Sequence, residues 1–211
     1  MINALEALSR LQEGNKRFAT GIRSLDTMLS QAHKPDLVAG QAPFAVILGC
    51  SDSRVPVEIV FDQGLGDLFV IRVAGNVVAS SQIGSVEFAA ESFGTRLVVV
   101  MGHSRCGAIS ATLDAIRNPE CKNTRGLSSI VNRIRPAVEE LIHEGEDEAT
   151  LKHRAVRSNV RMAAQSLRSG SELLERLILN EGLLVVGAEY SLETGLVDFF
   201  DGVPAEMRTE K

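Results

Sequence analysis

Four short apolar runs, at residues 44–49, 68–73, 97–102 and 183–188, carry Val, Ile, Leu and Phe without polar alternation. A strand covered on both faces reads this way, because neither of its faces meets water. Between and after them come helical periods: Val86, Ala89, Ala90 and Phe93; Ile109, Leu113 and Ile116; Ile130, Ile134, Val138 and Leu141; Val156, Val160, Ala163 and Leu167. Strands alternating with helices imply crossover connections, so the expected fold is α/β, with about four parallel strands flanked by helices. A last run near 196–200, after Gly195, adds an antiparallel edge strand.

Ahead of this core, residues 3–20 set Ala4, Leu8, Leu11 and Phe18 on one helical stripe that ends at Gly21. Residues 22–43 are polar, contain Pro35 and Pro43, and leave room for a short helix. The expectation is one domain over residues 1–211, an N-terminal helical arm (1–43) followed by an α/β core (44–211). Either the core or a neighbouring subunit could cover the arm's apolar stripe. Gly145 to Thr150 reads as an acidic loop.

Charge narrows the range of partners. The formal net charge is −5 and no run of Lys or Arg stands out, which excludes the basic footprint that nucleic acid requires. No stretch approaches the roughly 20 apolar residues of a membrane span. The first 20 residues carry Glu6, Arg10, Glu13, Lys16 and Arg17 instead of the apolar centre of a secretory signal, so the expected location is cytoplasmic. Three cysteines, Cys50, Cys106 and Cys121, are too few for a disulfide framework. Cys121 has no ligand-type neighbour and reads as a free thiol. Aromatic residues make up only 4% and Trp is absent, which favours small apolar substrates over flat stacking ones.

In open parallel sheets, functional groups gather where loops leave the carboxyl ends of the strands. Two such loops are rich in chemistry: Cys50-Ser51-Asp52-Ser53-Arg54 and Gly102-His103-Ser104-Arg105-Cys106-Gly107. His103 and Cys106, three apart, can reach one point, and Cys50 can join them. Two thiolates and an imidazole suit zinc, with the fourth position left to water. A Cys/His nucleophilic site and a set of buried small residues remain the alternatives. Asp52 and Arg54, two apart in an extended segment, face the same way, and a guanidinium can hold a carboxylate through two parallel hydrogen bonds. Held so, Asp52 stays ionised and can orient a water, or it can itself take the fourth position and close the site. A surface salt bridge is the plainer reading. Gly64-Leu65-Gly66 is no dinucleotide loop, because Phe69 stands where the third glycine belongs.

The two loops together strongly resemble the β-class carbonic anhydrases. The likeness extends from Leu11-Gln12-Glu13-Gly14-Asn15-Lys16-Arg17-Phe18 through residues 66–76 to 185–200. It implies reversible hydration of carbon dioxide to bicarbonate and a proton by zinc-bound water or hydroxide. One Zn2+ per subunit would sit on Cys50, His103 and Cys106, with Asp52 and Arg54 as the catalytic dyad. It further implies a homodimer or homotetramer with active sites at the subunit interface, Gln41 donating a hydrogen bond to substrate, and Val55, Phe69, Ala74 and Phe88 lining an apolar pocket. Arg72 and Tyr190 match two residues of an inhibitory bicarbonate site found in some bacterial members, whereas Ile47 stands at its Trp position. His33, His143 and His153 are available as proton shuttles. Hydrolysis of carbon disulfide or carbonyl sulfide on the same fold, or a non-catalytic zinc-binding module, are the competing functions; an aimed carboxylate beside the ligands speaks against the latter.

Overall fold

The computed structural model describes residues 2–24, 36–120, 124–143 and 145–208. His33 and Cys121 lie outside them, as does most of the segment between the first helix and the first strand. Helix α1 (Ala4–Ala19) starts at Asn3, whose side chain accepts a hydrogen bond from the Glu6 backbone N–H, and is followed by a single turn, α2 (Asp36–Ala39). Strand β1 (Ala45–Gly49), the one-turn α3 (Val57–Val60), β2 (Leu68–Arg72), α4 (Ser80–Ser92) and β3 (Leu97–His103) come next. Helices α5 (Gly107–Arg117), α6 (Arg125–Val138), α7 (Glu148–Ser169) and α8 (Glu172–Asn180) lead to β4 (Leu184–Tyr190) and β5 (Val197–Asp201).

The described residues form a five-stranded sheet in the order β2-β1-β3-β4-β5, in which β5 alone runs antiparallel. Residues of β1 and β3 alternate between its faces. Ile47, Val99 and Met101 pack with Leu8 and Leu11 of α1 and with Val57 and Val60 of α3. Val46, Leu48, Val98 and Val100 meet α4, α7 and α8 on the other side. Leu8 and Leu11 are fully buried, so α1 lies on its own sheet, and each such side chain contributes about 1.5–3 kcal/mol through burial.

Two elements differ from the pattern read in the sequence. The acidic stretch 145–150 is loop only as far as Asp147, which caps α7 by accepting from Thr150 N–H; Glu148 stands in the helix's first turn, where the helix dipole favours a negative charge. The second is α8, capped by Ser171, whose Leu174 and Leu177 add to the core that helical spacing elsewhere had already outlined. Among the described residues no helix is long and apolar enough to cross a membrane.

A third apolar cluster closes the carboxyl end of the sheet. It joins Cys50 and Cys106 to Val77 and to Ile109, Leu113, Ile134, Leu151 and Val156 from the helices around them. Gly102 makes this closure possible, since a Cβ there would stand 2.7 Å from Val160 Cγ2 and 3.0 Å from Val156 Cγ1. Helix α7 can therefore press against the strand one residue before His103.

Candidate active site

Parallel pairing in register brings the ends of β1 and β3 side by side, with Gly49 opposite Met101 on one flank and Arg72 on the other. The chain leaves β1 directly into Cys50 and leaves β3 at His103, three residues before Cys106, the cap of α5. As a result the Cys50 and Cys106 thiols and a ring nitrogen of His103 lie within 4.8 Å of one another, and all three residues are buried.

The members of this cluster set one another's protonation. Cys106 holds the Cys50 thiol well below its ordinary pKa against the opposing effect of burial, helped by His103 and by the Gly75 N–H, which reaches Cys50 Sγ at 3.3 Å. Cys106 is pushed up in turn, by its hydrogen bond with Cys50 and by burial, although backbone N–H groups at the start of α5 pull the other way. Two thiols sharing one proton behave in this way. Burial lowers the His103 pKa, but the Cys50 thiolate, the Ser104 carbonyl and the Asp52 carboxylate outweigh it and leave it raised.

His103 is oriented through its second nitrogen. Nδ1 bonds to the Ser104 carbonyl at 2.9 Å, which directs Nε2 toward the cysteines. Nε2 is buried and has no hydrogen-bond partner among the described residues, and Asp52 Oδ2 stands 3.9 Å away. An unpaired buried nitrogen is costly unless something else takes its lone pair. Two thiols and an imidazole, buried together, suit a borderline-soft divalent ion, so the residues present fit a metal.

Asp52 faces Arg54. The guanidinium donates to both carboxylate oxygens, Nε to Oδ1 at 2.9 Å and an Nη to Oδ2 at 2.7 Å, and the Arg54 backbone N–H adds a third bond to Oδ1 at 3.0 Å. These donors, the side-chain bonds foremost, hold the Asp52 carboxyl well below the usual carboxylate range.

Sequence reasoning missed the bracing around this loop. Arg72 donates to the carbonyls of Cys50 (2.9 Å) and Asp52 (2.5 Å), so it ties the end of β2 to the loop after β1. Asn159 of α7 donates to the Gly75 carbonyl at 2.8 Å and steadies the turn whose N–H meets Cys50. Gly75 has φ of +68°, and a Cβ there would lie 2.7 Å from Ile134 Cδ1. Strand register would have flagged Arg72, which pairs with Gly49; nothing local marks Asn159.

The remaining expected site residues scatter in the single chain. Val55 is buried in the α1 face of the core, just after its N–H bonds the Asp52 carbonyl, and Ala74 is half-buried beside Gly75. Gln41 is exposed. Phe69 and Phe88 lie on the other face at the edge strand β2, where they form an aromatic group with Phe93, and Phe88 remains 54% exposed. Ile47 and Tyr190 share the α1-side core, and Tyr190 packs against the Phe18 ring. His143 is exposed, and His153 Nε2 stands 3.1 Å from Glu189 Oε2.

Comparison with known proteins agrees with this geometry. A family model described as carbonic anhydrase matches residues 45–197. Carbonic anhydrase 2 of Mycobacterium tuberculosis is 39% identical over 92% of this chain and 91% of its own length. Among solved structures, a β-carbonic anhydrase of Aspergillus fumigatus superposes with a TM-score of 0.73 at 24% identity, covering 93% of this chain and 96% of that one. A structure from a study of two tetrameric β-carbonic anhydrases of Sordaria macrospora gives a TM-score of 0.68 at 25% identity, over 89% of this chain and 93% of its own.

Proposed function

This chain belongs to the β-carbonic anhydrase family, and from that premise we propose that it hydrates carbon dioxide reversibly with one Zn2+ per subunit held by Cys50, His103 and Cys106. The observation that carries the proposal is the convergence of a partnerless, buried His103 nitrogen and two thiols beside a carboxylate locked by Arg54. When bound, the ion supplies the Lewis acidity that makes a water nucleophilic near neutral pH.

The chain's own groups do the rest. Ionised Asp52 accepts a hydrogen bond from the attacking water and leaves its lone pair aimed at the carbon. Arg54 fixes the carboxylate plane and draws it away from the donor cluster; were Arg54 to let go, Asp52 could swing to that cluster and shut the site. Arg72 keeps the Cys50 and Asp52 backbone in place while this happens. Carbon dioxide has no net dipole, so a narrow apolar wall suffices to receive it. Val55 and Ala74 form the part of that wall supplied by the same chain.

The rest of the wall is assigned to a second copy. β2 is a sheet edge, and the exposed Phe88 beside Phe69 forms an apolar patch on it that a dimer would cover. Gln41, exposed in the single chain, would then reach across to bond the substrate of the neighbouring site. A cytoplasmic location belongs to the same proposal, because the thiols at 50 and 106 must stay reduced to hold zinc.

The test is stopped-flow hydration of carbon dioxide by protein whose zinc content has been measured, with Cys106→Ala beside it. Hydration that tracks zinc content and vanishes in Cys106→Ala is expected. Full zinc occupancy with no hydration from pH 7 to 9 would reduce the protein to a zinc-binding module. Faster turnover of carbonyl sulfide or carbon disulfide than of carbon dioxide would move the substrate assignment.

A further inference from the structure

Cys106 must turn back toward His103 with only Ser104 and Arg105 between them, and Arg105 accomplishes this in a left-handed conformation, φ +56°, that a long side chain seldom adopts. Something outside the loop has to hold such a turn. Glu193, at the tip of the β4–β5 hairpin, spans both intervening residues: Oε2 accepts from Ser104 Oγ at 2.7 Å and Oε1 from Arg105 Nε at 2.6 Å. The same hairpin grips Ser104 twice more, since Leu192 N–H donates to its Oγ at 3.0 Å and its own N–H donates to the Tyr190 carbonyl at 2.9 Å.

We propose that Glu193 is a positioning residue for the metal loop, acting through Ser104 and Arg105 without touching the ion or substrate. The path has two branches. The Ser104 carbonyl orients the His103 ring through Nδ1, so a Ser104 that drifts takes the ligand nitrogen with it. The Arg105 carbonyl accepts from Arg54 at 3.4 Å, so the turn also backs the guanidinium that holds Asp52. Hydrogen bonding from Ser104 keeps the Glu193 carboxyl down at about 2, so the clamp is charged at every pH at which the enzyme would work. As an ion pair Glu193 and Arg105 would matter little, with side chains 44% and 72% exposed; their importance lies in the backbone they hold.

The inference rests on the zinc reading above, and its test separates the two. Zinc release to a chromophoric chelator, kcat/KM and the unfolding midpoint are to be compared in the parent, Glu193→Ala, Glu193→Gln, Arg105→Ala and a control, Glu148→Ala, which removes another exposed Arg–Glu pair. The expected result for Glu193→Ala is zinc release about tenfold faster and kcat/KM about tenfold lower, in the range seen when a ligand's orienting partner is lost. Glu193→Gln, which keeps an acceptor for Ser104, recovers most of both, and the unfolding midpoints stay together. Release within twofold of the parent in Glu193→Ala, or equal acceleration in Glu148→Ala, would overturn the assignment. Should Glu193→Ala fail to fold, Arg105→Ala carries the same comparison, with release two- to fivefold faster expected; release unchanged from the parent would overturn the assignment. A parent that binds no zinc would instead sink the metal reading itself.

Discussion

Two carboxylates near the carboxyl end of the sheet each face a guanidinium, and their protonation is driven in opposite directions. Asp52 receives three donors spread over both oxygens and is held well below the carboxylate range. Glu189 offers one oxygen, Oε2, to both His153 (3.1 Å) and Arg157 (3.3 Å), while Arg157 makes its shorter bond, 2.7 Å, to Asp198. Burial raises the Glu189 pKa, and the nearby cations only partly offset it. A positive neighbour therefore does not decide a carboxylate's state; the number and alignment of its donors, set against its burial, do. One arrangement suits a group that must remain an acceptor through turnover, and the other suits a structural strut.

The largest effect should come from Asp52→Asn, which keeps the shape and removes the charge. Hydration kcat is expected to fall by roughly 10²–10⁴-fold with zinc content unchanged, the range for a lost acid–base partner; a fall of less than threefold would erase the contrast between the two carboxylates. Arg54→Lys comes next, since a point charge cannot make two parallel bonds, and a loss of about 10–100-fold is expected. Restoration of the rate by added guanidinium in Arg54→Ala would sharpen the same point.

The pH profile gives a third test. Asp52 stays ionised throughout the neutral range, so hydration should rise from pH 6.5 toward mildly alkaline values, governed by the water and not by the dyad. Two thiolates would nearly cancel the charge of a bound zinc ion, so a water held there would be acidified less than on three imidazoles. A profile already flat and maximal at pH 6 would break this.

The smallest change should come from Glu189→Gln, with hydration within threefold of the parent. Its signature is in stability. A group whose folded pKa lies above its unfolded value stabilises the fold fully below the unfolded pKa and loses that contribution as pH rises through the folded pKa. Removing Glu189 should therefore flatten the decline of stability as pH rises above about 4.3, as read from denaturant midpoints. Asp52 has the opposite sign: its contribution is present above the unfolded pKa and lost only in stronger acid, as pH falls through the depressed folded value. Equal pH slopes in parent and Glu189→Gln would show that burial does not dominate at Glu189.

Much of this molecule is legible in its sequence because the relevant forces act locally. Unalternating runs such as Leu97 to Val100 must be strands covered on both sides, and such strands pair in parallel. Loops that begin Cys50 and His103 then fall at one end of the sheet. Asp52 and Arg54, two residues apart, carry their own geometry with them. Even β5 could be anticipated from the turn at Gly195. The start of α7 within an acidic stretch was harder, because an N-cap Asp and a loop Asp look alike until the backbone N–H of Thr150 is seen to point at one.

What only the tertiary structure decided are relations between residues distant in the chain. Glu193 lies 89 residues from Ser104, and Asn159 lies 84 from Gly75. Neither side chain carries a local pattern that would distinguish it from any exposed Glu or helical Asn. Whether Asp52 turns to Arg54 or to the donor cluster was equally undecided, since the short segment permits both. In the structure Asp52 faces Arg54, beside the loop that Arg72 ties down. Residue types and spacing determined which groups could meet, because backbone periodicity is a property of neighbours. Packing determined how they are held, because a hydrogen bond across the fold exists only once the sheet has set its register.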